Sequence, residues 1–178
     1  AISWTNTAAT NILCNGGTDG SITIAATGGT GAISYNLMPT NVTNLTGIFP
    51  NLGAATYTLT ATDANGCTLT TTLQITEPSV LSWTNTVVTN ISCNGGADGS
   101  INVTATGGTG IINYTLQPNN ITNGSGLFPN LAAGTYTVQA IDANGCSLTS
   151  IFNITEPAVL QISNISNTPL TCVPGNDG

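Results

Sequence analysis

Lysine, arginine and histidine are absent from the 178 residues of this chain, and only seven residues are acidic: Asp19, Asp63, Glu77, Asp98, Asp142, Glu156 and Asp177. Without a cation or an imidazole, no Ser, Thr or Cys has its usual activating base, and nothing titrates near neutrality unless its surroundings move it there. A hydrolase built on paired carboxylates would need Asp19 and Asp63 to meet in space. Both lie in turn-like, Gly-containing strings, where a short Asp side chain ordinarily caps its own backbone. The chain is therefore expected not to be an enzyme, with no catalytic residue and no cofactor. A net charge of −7 without any compensating cation repels polyanions, which excludes nucleic acid as a partner. No apolar run approaches the roughly 18 residues that span a bilayer, and no basic segment precedes one, so membrane insertion by this segment is not expected either. Charged residues make up 4% of the chain, which leaves Thr, Asn, Ser and Gly to form most of the surface and gives no cleavage site for proteases that cut after Lys or Arg.

What the sequence does contain is a copy of itself. Trp4, Cys14, Asp19, Tyr35, Phe49, Tyr57, Asp63, Cys67, Glu77 and Pro78 recur as Trp83, Cys93, Asp98, Tyr114, Phe128, Tyr136, Asp142, Cys146, Glu156 and Pro157, each 79 positions on. Residues 1–78 pair with 80–157 without a gap, and 50 of the 78 pairs are identical. A third copy opens at Cys172 and stops at Gly178. The expected organisation is a first repeat at 1–78, a second at 79–157 and the start of a truncated third at 158–178. A unit of this length strung in tandem points to a function that belongs to the array rather than to a pocket in one copy.

Each full repeat carries two cysteines 53 positions apart, and Cys172 is the fifth in the chain. No C-x-x-C occurs, and without His a zinc site would need four Cys that a single repeat does not supply. Disulfides and an oxidising, extracellular compartment follow. Two regular pairings are open. Each repeat closes on itself through Cys14–Cys67 and Cys93–Cys146, or the bonds cross the junctions as Cys67–Cys93 and Cys146–Cys172. The first is favoured, because a unit of 79 residues has a thin core and gains most from an internal bridge. Closing such a loop contributes on the order of 4 kcal/mol in the chain-entropy model.

Alternation, β-branched residues and Gly punctuation predict strands at about 2–5, 11–14, 21–27, 32–38, 47–52, 55–62 and 67–76, repeated 79 later. Ile22, Ile24 and Ala26 form one inward stripe, Tyr57, Leu59 and Ala61 a second, and Leu69, Thr71, Leu73 and Ile75 a third. Gly28-Gly29-Thr30-Gly31 and Asp63-Ala64-Asn65-Gly66 are reversals. Tyr57 and Tyr136 stand where a penultimate sandwich strand carries a corner tyrosine. The fold class expected is all-β: tandem immunoglobulin-like sandwiches of about seven short strands each. Thr40–Thr46 reads as either a loop or an extra strand, and that choice decides whether a repeat is entered and left at opposite ends.

Glu77-Pro78 and Glu156-Pro157 close the two repeats with a new extended segment close behind. Proline fixes its own φ and keeps the preceding residue extended, so the joint is expected to be semi-rigid and the array a stiff rod. The partners expected are neighbouring repeats of the same chain or identical filament subunits, to which residues 158–178 would donate a strand. Trp4 and Trp83 are candidate stacking surfaces for carbohydrate, or else pack across the sandwich edge. A calcium site would need six to eight oxygens, and no D-x-D-x-D-G string occurs, so no metal is expected and Asp19, Asp63 and Glu77 read as caps of turns and joint.

The string Cys14-Asn15-Gly16-Gly17-Thr18-Asp19-Gly20-Ser21-Ile22, followed by Ala26-Thr27-Gly28-Gly29-Thr30-Gly31 and Tyr35, resembles the SprB-type repeat of Bacteroidetes surface adhesins. Gly134-Thr135-Tyr136-Thr137-Val138, Asp142-Ala143-Asn144-Gly145-Cys146 and Ile154-Thr155-Glu156-Pro157 continue the resemblance. It implies a large exported cell-surface protein of tandem modules, related to gliding-motility adhesins delivered by type IX secretion, that attaches to surfaces or polysaccharide. It transfers no active residue. Gly53-Ala54-Ala55 and Val173-Pro174 depart from the pattern.

Overall fold

The computed structural model describes residues 1–166. The first repeat forms β1 (Ile2–Thr10), β2 (Gly20–Gly28), β3 (Ser34–Met38), β4 (Val42–Asn44), β5 (Ile48–Leu52), β6 (Ala55–Thr62) and β7 (Thr68–Ile75). The second forms β8 (Ser79–Thr89), β9 (Gly99–Gly108), β10 (Asn113–Gln117), β11 (Ile121–Asn123), β12 (Leu127–Leu131), β13 (Gly134–Ile141) and β14 (Ser147–Ile154). Each repeat is a two-sheet sandwich. A three-stranded sheet, β1-β2-β5, faces a four-stranded one, β4-β3-β6-β7, and the second repeat has β8-β9-β12 facing β11-β10-β13-β14. All pairings are antiparallel.

The period of two in the sequence sets which face is inside. In β2, Ile22 and Ile24 are buried and Thr23 between them is exposed; in β6, Tyr57, Leu59 and Ala61 are buried. Together with Leu37, Phe49 and Ile75 they form one core, and the second repeat has its own around Ile101, Val103, Leu116, Phe128 and Val138. Neither core contains a residue of the other repeat. Two tyrosines fasten each sandwich. The Tyr57 hydroxyl donates to Gly53 O at 3.1 Å, as Tyr136 does to Ala132 O, which is the expected corner. Tyr35 of the larger sheet accepts from the Ala26 amide of the smaller at 3.0 Å.

The strand boundaries differ from expectation at two places. Residues 11–14 are not a strand: β1 runs on to Thr10 and the segment then turns. Its alternation came from Ile12, which is buried and whose amide donates to Thr76 O at 3.0 Å. The ambiguous Thr40–Thr46 segment supplies a short edge strand, β4, paired with β3 through Tyr35↔Asn44. Losing one and gaining the other keeps seven strands per repeat.

That exchange settles the direction of travel. The chain enters beside Gly28, paired with Ile2, and β7 ends beside Gly20, where a Cβ would strike the Ile75 side chain. Gly20 and Gly28 are the two ends of β2, so entry and exit lie at opposite ends.

Candidate functional site at the joint between repeats

Six of the acidic side chains accept hydrogen bonds from backbone amides in the loops at the sandwich ends, in three matched pairs. At the entry end of the first repeat, Asp63 accepts from the amides of Thr30 (2.9 Å), Asn65 (3.0 Å) and Cys67 (2.9 Å). Asp142 does the same for Thr109 (2.7 Å), Asn144 (2.9 Å) and Cys146 (2.8 Å). At the exit end, Glu77 accepts from the Gly16 amide at 2.6 Å and Glu156 from Gly95 at 2.7 Å. Asp19 takes the Leu13 amide at 3.2 Å, and Asp98 takes the amide and hydroxyl of Ser92. The caps expected at Asp19, Asp63 and Glu77 are therefore seen, and Asp19 and Asp63 stand at opposite ends rather than together.

The hydrogen bonds from Thr30, Cys67 and Asn65 hold the Asp63 carboxyl below its ordinary range, against the burial that would raise it. For Asp142 burial is the largest influence and would raise it, but the amides of Thr109, Cys146, Asn144 and Gly145 outweigh it and the net direction is down. The hydroxyl and then the amide of Ser92 lower Asp98. A carboxyl depressed in the folded state contributes stability above its unfolded pKa, and that contribution is lost as pH falls through the folded value. Stability is thus expected to be flat near neutrality and to fall once pH drops below the free-Asp value of about 4. Thermal melts across that window check this. The pair Asp63→Asn and Asp142→Asn is expected to lower the neutral-pH melting temperature and flatten the acid limb.

The joint itself is short. β7 ends at Ile75 and β8 begins at Ser79. The segment between is tied back to the exit-end turn: Thr76 N donates to Asn11 Oδ1 at 2.9 Å and Asn15 Nδ2 to Pro78 O at 2.9 Å. Glu156 and Pro157 repeat this, with Asn94 Nδ2 on Pro157 O at 3.0 Å. Across the joint, Asn144 of the second repeat donates through Nδ2 to Leu13 O of the first at 3.1 Å.

A disulfide also crosses it. Cys14 is bonded to Cys146, with Cα atoms 5.6 Å apart, while Cys67 and Cys93 are exposed and have no disulfide partner among the described residues. This overturns the expected pairs Cys14–Cys67 and Cys93–Cys146, and equally the alternative Cys67–Cys93. The partner proposed there for Cys146 was Cys172, which lies outside the described residues. The reason is the direction of travel. Cys14 sits at the exit end beside Pro78, and Cys67 immediately precedes β7 at the entry end. The eight residues of β7, at about 3.3 Å each, put roughly 25 Å between them. A disulfide needs Cα atoms within about 7 Å. Stacking the repeats brings the exit end of the first against the entry end of the second, where Cys146 lies.

Trp4 and Trp83 are not open platforms. Each indole is half-buried against its core and stacks on a tyrosine, Trp4 on Tyr35 with centroids 6.4 Å apart and Trp83 on Tyr114 at 6.2 Å. Their Nε1 atoms are buried without a hydrogen-bond partner. No group of three or more metal-ligating side chains occurs among the described residues. Sequence reasoning missed Asn144 and the Leu13 carbonyl. The only signal for Asn144 was its place in the Asp-Ala-Asn-Gly turn, which reads as turn chemistry alone.

A family model described as the SprB repeat matches residues 6–44 and again 85–121. Each full repeat thus contains one segment similar to the SprB repeat. The matched SprB segments take in the first cysteine of each repeat, its Asp19 or Asp98 cap and Tyr35 or Tyr114, and leave out the second cysteine and the Glu-Pro joint. Among curated proteins no sequence matches. Solved structures similar to the chain include the C-terminal 282-residue fragment of intimin in complex with the translocated intimin receptor (Tir) intimin-binding domain, at 15% identity and TM-score 0.46 over 85% of this chain and 64% of that one. Another is the N-terminal eight Ig domains of Down syndrome cell adhesion molecule, at 14% identity and TM-score 0.45 over 88% of this chain and 25% of that one. A third is the S-layer protein rSbsC, at 15% identity and TM-score 0.33 over 90% and 28%.

Proposed function

We propose that this chain is a stalk segment of an extracellular, cell-surface adhesin, acting as a stiff spacer and performing no chemistry of its own. The observation that carries the reading is the joint: two sandwiches meet end to end, and a disulfide, a side-chain hydrogen bond and a proline all hold them there. A binding pair that needed only to be tethered would not require such a closure. The absence of Lys, Arg and His, and the use of the carboxylates as backbone caps, support a structural role. The SprB-repeat match supports surface attachment, and gliding motility of a Bacteroidetes cell with export by the type IX route is the setting proposed for it. Neighbouring repeats are the immediate partners, and surface polysaccharide is the proposed target of the whole adhesin.

The test is length. Chains of two, four and eight repeats are expected to appear by electron microscopy as beaded rods that grow linearly. Each repeat adds roughly 35 Å, judging from the eleven residues of β8 at about 3.3 Å each. A globule whose diameter grows with the cube root of mass would reject the reading.

A further inference from the structure

We propose that Cys67 and Cys93 are the open halves of two further joints of the same kind: Cys93 bonds the second cysteine of a repeat that follows, and Cys67 the first cysteine of a repeat that precedes. The inference rests on the array reading above and deepens it.

The bonded pair defines the rule. Cys14 and Cys146 are separated by 132 positions, one period of 79 longer than the 53 between the cysteines of one repeat. The bond therefore joins the first cysteine of a repeat to the second of the next. Moved along by one period, the same rule takes Cys93 past the second repeat; moved back, it takes Cys67 before the first. In an array neither has a partner inside its own repeat.

The open halves are built like the closed one. At the base of the first repeat, Cys14, Asn15, Ser79 and Val80 line the cleft that receives Cys146. At the base of the second, Cys93, Asn94, Ala158 and Val159 line a cleft of the same design, in which no second cysteine is seated among the described residues. The turn that presents each sulfur is fixed by the same bonds, Gly16 N to Glu77 and Gly95 N to Glu156, within 0.1 Å of each other at 2.6 and 2.7 Å. Its shape thus does not depend on the disulfide. At the other end, Asp63 holds the Cys67 amide at 2.9 Å as Asp142 holds that of Cys146 at 2.8 Å. Asn65 and Ser92 stand where Asn144 and Leu13 make the hydrogen bond across the closed joint, and both are exposed. Cys67 and Cys93 are exposed too, whereas Cys14 and Cys146 are half-buried.

Closure breaks two S–H bonds and forms one S–S bond. Two protons and two electrons pass to an external disulfide oxidant by thiol–disulfide exchange through a mixed disulfide. Oxidised glutathione serves in the test and leaves as two reduced thiols.

The experiment compares the chain carrying Cys172→Ser with a chain in which a copy of residues 79–157 follows Pro157 in place of residues 158–178. Both are oxidised with glutathione, alkylated without reduction and mapped by mass spectrometry after digestion at Glu and aromatic residues. In the shorter chain Cys93 is expected to be alkylated. In the longer one its alkylation falls at least tenfold and it is recovered crosslinked to the second cysteine of the added copy, with Cys67 reactive in both. Cys93→Ser in the longer chain is expected to leave its circular dichroism unchanged and that second cysteine reactive, which shows that the added copy folds. A Cys93 that stays reactive beside a folded third copy, or is crosslinked to Cys67 or Cys146, overturns the inference. A longer rod with Cys93 free sinks this inference alone; a crosslinked but globular product sinks the stalk reading instead.

Discussion

Replacing Cys14 by serine, or reducing its bond to Cys146, is expected to turn one rigid body into two that swing about Pro78. What remains across the joint is the short Thr76–Pro78 segment and one exposed hydrogen bond from Asn144 to Leu13, and a bond of that kind contributes about 1 kcal/mol. Proline restricts its own φ and its predecessor, but leaves its own ψ free. The disulfide removes that freedom and also limits the unfolded chain. For a separation of 132 residues the chain-entropy model gives about 5 kcal/mol, some of which is lost if the bonded state is strained. Pulsed electron spin resonance between labels in β2 and β9 should show one narrow distance in the oxidised protein and a broad distribution in the variant. Chemical denaturation should lose stability by several kcal/mol and resolve two transitions. An unchanged narrow distance would mean that Glu77, Pro78 and the turn they brace hold the joint unaided.

The second large effect is in a core. Leu59 is fully buried at the centre of the first sandwich, and Val138 holds the same place in the second. Leu59→Ala removes three heavy atoms from a packed site, which costs about 2–5 kcal/mol depending on how far the neighbours collapse. The two cores share no residue, so the loss should stay in the first repeat. Hydrogen exchange read strand by strand checks this: β2, β3 and β6 are expected to exchange faster while β9, β10 and β13 keep their protection. Equal loss in both repeats would show that the joint transmits unfolding and that the pair is one cooperative unit.

Most of the sandwich was legible in the sequence because its cause is local. The stripes at Ile22–Ile24 and Tyr57–Ala61, the Asp63–Gly66 reversal and the Tyr57 corner each depend on residues within a few positions of one another, and a period of two or a turn string reports them. Ile12 misled because a buried residue in an extended turn carries the same apolar signal as one in a strand. The cysteine pairing was not legible for a different reason. Spacing along the chain fixes loop length but not which end of the sandwich a residue reaches. That depended on a three-residue edge strand, Val42–Asn44, whose polar Thr43 and Asn44 look like loop. Counting one strand more or fewer reverses every later direction. The joint's Asn144–Leu13 bond was hidden similarly, since it exists only once two repeats are stacked.

The position of the bridge has a mechanical result. When the protein is pulled from its two ends, tension runs from Ala1 to Cys14, crosses between sulfurs, and continues from Cys146, so the intervening stretch bears no load. With a separation of 132 residues, on the order of 400 Å of contour is withheld from extension even if both sandwiches come apart. A cell hauling on such a tether would feel little slack.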